Sequence, residues 1–223
     1  MRVLILGGSG RTGELVIDEA LKRGHTVTAL VRKPDSLKAR AGLTIIQGTP
    51  LEKADIEKAV TATPNDLPSA IIITLNARRA TDNPFSANIS PPRMMADSNA
   101  NAVAAMKAHG ITKIVTMSAF GVADSWPNMH LLLRATIKIS NMSHQWEDHA
   151  AVDGEVKQSE LDYVLVRPVM LKEGERKSID FHGNVGAKGV GLTSSITRQS
   201  VAGFLVDAAE KGNWNRSTPV ITN

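Results

Sequence analysis

Apolar residues come in short runs along this chain, with stretches of helical periodicity between them. Residues 3–6 (Val-Leu-Ile-Leu), 25–31, 43–46, 70–75, 113–117 and 163–166 each read as a strand. The run at 70–75 (Ala-Ile-Ile-Ile-Thr-Leu) is nearly continuous, as a strand covered on both faces requires. Between the strands, residues 14–23 place Leu15, Ile17, Ala20 and Leu21 near helical spacing, with Gly24 as the stop. Further helices are expected near Ser36 and over 51–60, 94–109, 128–138 and 144–158, Gly110 ending the long alanine- and methionine-rich one. A last helix over 197–210 carries Val201, Phe204, Leu205 and Ala208 on one face, with Thr197 as its cap. Short strands are expected at 187–192 and 219–221. Residues 76–92, with three prolines and two arginines, read as an irregular loop of the kind that carries function.

Strands alternating with helices throughout predict an α/β fold, a Rossmann-type doubly wound parallel sheet with helices on both faces. At 223 residues the chain is expected to be one nucleotide-binding domain spanning 1–223, with a small substrate-pocket region over about 170–223. In such a sheet the ligand lies beyond the carboxyl ends of the strands. There, directly after the first strand, stands Gly7-Gly-Ser-Gly10-Arg-Thr-Gly13, followed at once by helical sequence. Glycines let the backbone approach a phosphate, and the first N–H groups of a helix favour its charge. Gly7, Gly10, Arg11, Thr12 and Gly13 are therefore the expected dinucleotide cradle. Leu75, Asn76, Ser118, Ala119, Pro168 and Val169 follow the ends of other strands and are expected along the same cofactor. Asn76 suits its ribose or pyrophosphate.

Composition narrows the picture. Hydrophobic residues at 42% and charged residues at 22% are ordinary for a globular protein, and the 4% of aromatics favours an aliphatic α/β core. Cysteine is absent, which removes disulfides, thiol catalysis and cysteine-based metal sites. No apolar run approaches the roughly 18–20 residues of a membrane span, and no signal peptide precedes the first strand, so a cytoplasmic chain without membrane partners is expected. A net charge of +4 suggests nucleic acid, but the basic residues are scattered, with no stripe interleaved with aromatics. A phosphorylated cofactor fits this charge equally well. The position after the second strand, where NAD-specific sites carry a carboxylate, reads Val31-Arg32-Lys33. A guanidinium there pairs bidentately with a 2′-phosphate, and Arg11 reaches the same group, so NADP(H) is the expected cofactor.

The residues Gly7-Gly-Ser-Gly-Arg-Thr-Gly13, Val31-Arg32, Val115-Thr-Met-Ser118-Ala119, Asp148-His149 through Glu155, and Leu161-Asp-Tyr-Val-Leu-Val-Arg-Pro168 together resemble a known family. They are similar to atypical short-chain dehydrogenase/reductases of the NmrA-like, biliverdin/flavin-reductase-like group. The resemblance spans nearly the whole chain, and the Asp148-His149 segment is similar to tailoring enzymes of secondary metabolism. It implies that Ser118 stands at the active-site serine position and that Pro168-Val169 wall the nicotinamide amide. One departure matters: the Tyr-x-x-x-Lys pair of ordinary members is missing, since the sole tyrosine, Tyr163, opens a strand with no lysine at that spacing. His149 is then the expected proton donor, because an imidazole titrates near neutrality. Asp153, four residues on, is expected to orient it, or else the two form a solvated surface pair; Asp148 is a second candidate orienter. His144 and His149 lack metal-ligand spacing, and no metal is expected.

The expected activity is an NADP(H)-dependent oxidoreductase acting on a small or polycyclic carbonyl, imine or flavin-like acceptor. Two alternatives are a non-redox isomerase or cyclase with structural NADP, and an NmrA-like nucleotide-sensing regulator. The expected partner is a small-molecule substrate, with the chain a monomer or homodimer.

Overall fold

The protein is described by a computed structural model covering residues 1–186 and 190–223. Its sheet begins at β1 (Arg2–Leu6), whose residues are all buried. The chain then passes through α1 (Arg11–Lys22), β2 (Thr26–Val31), β3 (Leu43–Gln47), α2 (Lys53–Val60) and β4 (Ala70–Ile73). α3 (Met94–His109), β5 (Lys113–Met117), α4 (Leu131–Ile139), α5 (Ser143–Lys157) and β6 (Asp162–Pro168) follow. The last part comprises β7 (Met170–Lys172), β8 (Asp180–Phe181), β9 (Ser195–Thr197), α6 (Arg198–Glu210) and β10 (Val220–Thr222).

Strand order in the main sheet is β3-β2-β1-β4-β5-β6-β10-β8, parallel throughout except for β10 against β8. This is the doubly wound order, and its reversal lies between β1 and β4, above the glycine-rich loop. Residues on alternate sides of the strands feed two cores. Val3, Ile5, Ile72 and Val115 pack with α1 and α6, while Leu4, Leu6, Ile71 and Ile114 pack with α2, α3 and α5.

Expectation and structure differ at the edges. α1 starts at Arg11, so the last expected loop glycine lies in its first turn. The helix expected over 128–138 begins at Leu131, after a 3-10 segment Ala123–Asn128. β7 and β9 form a separate parallel pair that no apolar run announces. The strand expected over 187–192 lies in part outside the described residues, and residues 190–192 carry no strand. Among the described residues, no helix is long and apolar enough to cross a membrane.

Candidate active site

β1 ends at Leu6, and Gly7 turns the chain at φ +89°, a left-handed conformation that glycine adopts without strain. A Cβ at Gly7 would stand 2.9 Å from Thr74 Oγ1, and one at Gly13 would overlap the Gly7 carbonyl. The loop is closed by Gly10 N–H donating to the Gly7 carbonyl at 3.0 Å. No side chain caps the N-terminus of α1, whose residue before the helix is Gly10. Its first N–H groups are thus left for a ligand, and the bare glycine backbone fits the close approach of a pyrophosphate. Thr12 is buried beneath the loop.

The two arginines expected at the cofactor lie apart in their surroundings. Arg32 is exposed directly past β2. Arg11 is exposed too, but lies 3.7 Å from Asp82 of the 76–92 loop. That loop also reaches the other side of the cleft. Arg79 donates to Gln145 Oε1 at 2.9 Å, Gln145 donates to Asn76 Oδ1 at 2.6 Å, and Asn141 donates to the Phe85 carbonyl. The 76–92 segment therefore spans from the glycine-rich loop to the start of α5, over the ends of β4 and β5. Asn76 is held within this bridge.

Ser118 follows β5 and is fixed by its N–H donating to the Val166 carbonyl at 2.7 Å. Its hydroxyl is buried, with no hydrogen-bond partner. Ala119 and Val169 beside it are half-buried, and Pro168 is buried. His149 is buried as well, and its Nδ1 also lacks a partner. The position of His149 follows from its neighbour. Asp153 is tied at 2.6 Å to Arg167, two residues before Val169 on β6. α5 runs antiparallel to β6, so His149, about 6 Å further up the helix, comes level with Val169. Ser118 and His149 thus share the carboxyl end of β5 and β6, each with an unsatisfied buried atom. Such atoms cost about 1–3 kcal/mol apiece unless something binds them.

Four expectations about this corner need correction. Asp153 does not orient His149: its carboxylate is taken by Arg167 at 2.6 Å and Lys157 at 2.6 Å. Nor are the two a solvated surface pair, since both are buried. Asp148 faces away, accepting the Met95 and Ala96 N–H groups at 2.8 Å each and so capping α3. Finally, His149 does not titrate near neutrality, because desolvation pushes it down to about 4. At pH 7 it is a neutral imidazole. His144 is exposed, 3.9 Å from Glu147.

Other site residues carry no motif. Arg167 is fully buried, its Nη1 bonded to the Asn184 carbonyl at 2.7 Å and paired with Asp124 at 2.5 Å. It joins α5, β6 and the 3-10 segment after β5. The signal for it is a guanidinium ending the apolar run Val164-Leu-Val166. Asn99, inside α3, accepts from Thr116 Oγ1 at 2.9 Å and ties the helix to β5; in sequence it is one of the polar run Asp97-Ser98-Asn99 and nothing singles it out.

A glycine-cradled helix N-terminus at the switch point of a doubly wound sheet defines a nucleotide-binding protein of the Rossmann class. The chain belongs to the NAD(P)H-binding family, whose model matches residues 7–211, and its cofactor is a nicotinamide dinucleotide. It is 28% identical to the photosystem II assembly factor Ycf39 of Synechocystis, over 99% of this chain and 62% of that protein. It is 31% identical to a 3-diazoavenalumate denitrifying reductase of Streptomyces, over 57% of this chain and 41% of that one. The chain thus spans less than two thirds of the length of both relatives. Among solved structures, ChuY, an anaerobillin reductase from Escherichia coli O157:H7, superposes with a TM-score of 0.77 at 18% identity, covering 99% of this chain and 96% of that one. A Rossmann-fold NAD(P)-binding family protein from Shigella flexneri gives 0.70 at 17%, covering 99% and 92%. These two likenesses concern the fold.

Proposed function

We propose that this protein is an NADP(H)-dependent reductase of a carbonyl, imine or flavin-like acceptor, small or polycyclic. The observation that carries the reading is the unpartnered, buried Ser118 hydroxyl at the carboxyl end of β5, with the free Nδ1 of His149 level with it. NADPH held by the glycine-rich loop and Arg32 would supply the hydride. Ser118 Oγ–H donates to the acceptor's oxygen or nitrogen and stabilises the negative charge that grows there. The proton this atom gains comes from water by way of the neutral His149 imidazole, which gives up one ring proton and takes another. Asp153 and Asp148 position α5 and α3 and take no part in the proton transfer.

Arg32 supports NADP over NAD. It is an exposed guanidinium directly after β2, where a 2′-phosphate is met and an NAD site needs a carboxylate. That two proteins similar in sequence or fold are named reductases supports the direction of the chemistry.

The test has two parts. NADPH and NADH affinities are compared in the parent and in Arg32→Ala, which is expected to weaken NADPH about tenfold or more and leave NADH unchanged, the scale of a charge-assisted phosphate contact. Absorbance at the nicotinamide band is then followed with a panel of aryl ketones, imines and free flavin. Conversion of an acceptor with no NADPH consumed would establish the isomerase reading instead. Tight NADPH binding with no turnover of any acceptor would establish the nucleotide sensor.

A further inference from the structure

Between α4 and the outer face of α5 lies a cleft of about 350 Å³. Trp126, Ile137 and Trp146 wall it, buried Gly121 closes its inner end, and exposed Lys138 and Glu147 rim it. Its volume falls in the range of small-ligand sites. The Trp146 Nε1–H is buried with no acceptor. An indole nitrogen donates and cannot accept, so only an acceptor atom can satisfy it. The position a Cβ would take at Gly121 lies 3.4 Å from this nitrogen and overlaps the end of Met129. Met129 is buried with Phe120 and Ile137 against the Gly121 turn, and its flexible thioether is the group that moves when a ligand atom meets the indole N–H. Arg134 holds the Trp126 ring in place, its guanidinium 5.4 Å from the ring centre.

The cover of the cleft is loosely attached. Of the apolar residues on α4 only Ile137 is buried, while Leu131, Leu132 and Ile139 are more than 60% exposed. A helix held by one apolar residue can shift outward at little cost in burial. The rim charges of Lys138 and Glu147 are opposite in sign and Ser143 adds a hydroxyl, while the unpartnered Trp146 N–H is the buried donor set among the aromatic walls.

We propose that this cleft binds the planar aromatic body of a carbonyl compound. The ring lies against the indoles of Trp126 and Trp146, and the carbonyl oxygen accepts from Trp146 Nε1–H. Gly121 is three residues past Ser118, and Trp146 and Ala150 bracket His149 on α5, so the site adjoins the reacting corner. That the bound compound is the acceptor rests on the function proposed above; the binding itself does not.

The test uses the full chain without cofactor, with its tryptophan indole N–H groups observed by NMR. The probes are 1-indanone, indane, which lacks the oxygen, and cyclopentanone, which lacks the ring. 1-Indanone is expected to shift the Trp146 indole resonance and to bind about five- to tenfold more tightly than indane, the scale of one neutral hydrogen bond. Cyclopentanone is expected to bind more weakly than either. Trp146→Phe keeps an aromatic wall and removes the donor, so the preference for 1-indanone over indane disappears. Ala150→Leu, at an exposed helical position lining the cleft, fills it and abolishes binding of both ring compounds. Binding that leaves the Trp146 resonance in place, a preference that survives Trp146→Phe, or undiminished binding to Ala150→Leu overturns the proposal. NADPH affinity and turnover are measured separately. A chain that binds 1-indanone this way but turns over no acceptor of the panel refutes the reductase reading and leaves the cleft standing.

Discussion

Removing the Asp153 carboxylate tests whether this acid serves structure or chemistry. In Asp153→Ala, Arg167 keeps its fully buried guanidinium but loses its buried counterion at 2.6 Å. What remains is Asp124, about half exposed, and the Asn184 carbonyl at 2.7 Å. Breaking one side of a buried ion pair costs about 3–5 kcal/mol. The two surviving partners place the expected loss at the lower end, about 3 kcal/mol, or about 6–12 °C in Tm for a chain of this length. Arg167→Met is the informative contrast. It leaves Asp153 against Lys157 at 2.6 Å and removes a buried Nε that has no partner. Its expected cost is smaller, about 1–2 kcal/mol, and Asp153→Leu with Arg167→Met together should come back close to the parent. Urea unfolding of the three variants measures these values. A loss below about 1 kcal/mol in Asp153→Ala, or a greater loss in Arg167→Met, would refute the assignment of Asp153 to Arg167.

Three further outcomes follow from the same geometry. His149 is held near 4 when folded against 6.5 when free, so its folded pKa is depressed. Stability from this residue is whole above pH 6.5 and is lost as pH falls toward 4, because only the unfolded chain takes up the proton. The loss is about 2 kcal/mol at pH 5, and His149→Leu should flatten that part of a urea-unfolding pH series; an unchanged slope in the variant would count against the buried, neutral imidazole. Asp148→Ala leaves the Met95 and Ala96 N–H groups without their acceptor and should cost about 2–4 kcal/mol in thermal or urea unfolding. Gly13→Ala drives a methyl into the Gly7 carbonyl and to 2.8 Å from Thr74 Oγ1, so NADPH binding should be lost, whereas Gly10→Ala, 3.3 Å from its only near atom, should fold normally; calorimetric titration separates the two.

Much of the fold is legible because its signals are local. The helix expected over 94–109 and the strand over 113–117 coincide with α3 and β5, since Gly110 takes the left-handed φ of +69° that ends one and frees the other. Thr197 caps α6 as expected, its side chain accepting the Ser200 N–H at 3.2 Å. The start of α1 is less legible. Gly13 looks like loop but lies in a helical turn, because the helix must pass so near Gly7 that no side chain fits. β7 and β8 lack any pattern, being two or three residues long and largely exposed. Their partners, β9 and β10, come from distant sequence, and pairing at that distance leaves no local trace.

The site divides along the same line. Where the backbone alone shapes the candidate site, as in the glycine-rich loop, spacing alone locates it. Where side chains compete for one another, spacing misleads. His149 and Asp153 are four apart and share a helix face, yet the acid belongs to a residue on β6 that helical periodicity does not consider. The deciding clue is a charge, and it is present in the sequence. Arg167 closes the apolar run Val164-Leu-Val166 and precedes Pro168, so its guanidinium must enter the interior with the strand. A buried guanidinium is kept only if carboxylates come to it. α5, which leads into β6, offers Glu147, Asp148, Asp153 and Glu155; Glu147 is exposed, and of the four only Asp153 reaches Arg167. Once that demand is met, Asp153 has no charge left for an imidazole. His149 then stays neutral in its buried place, and its Nδ1 and the Ser118 hydroxyl are left without partners, as the reductase proposed above requires.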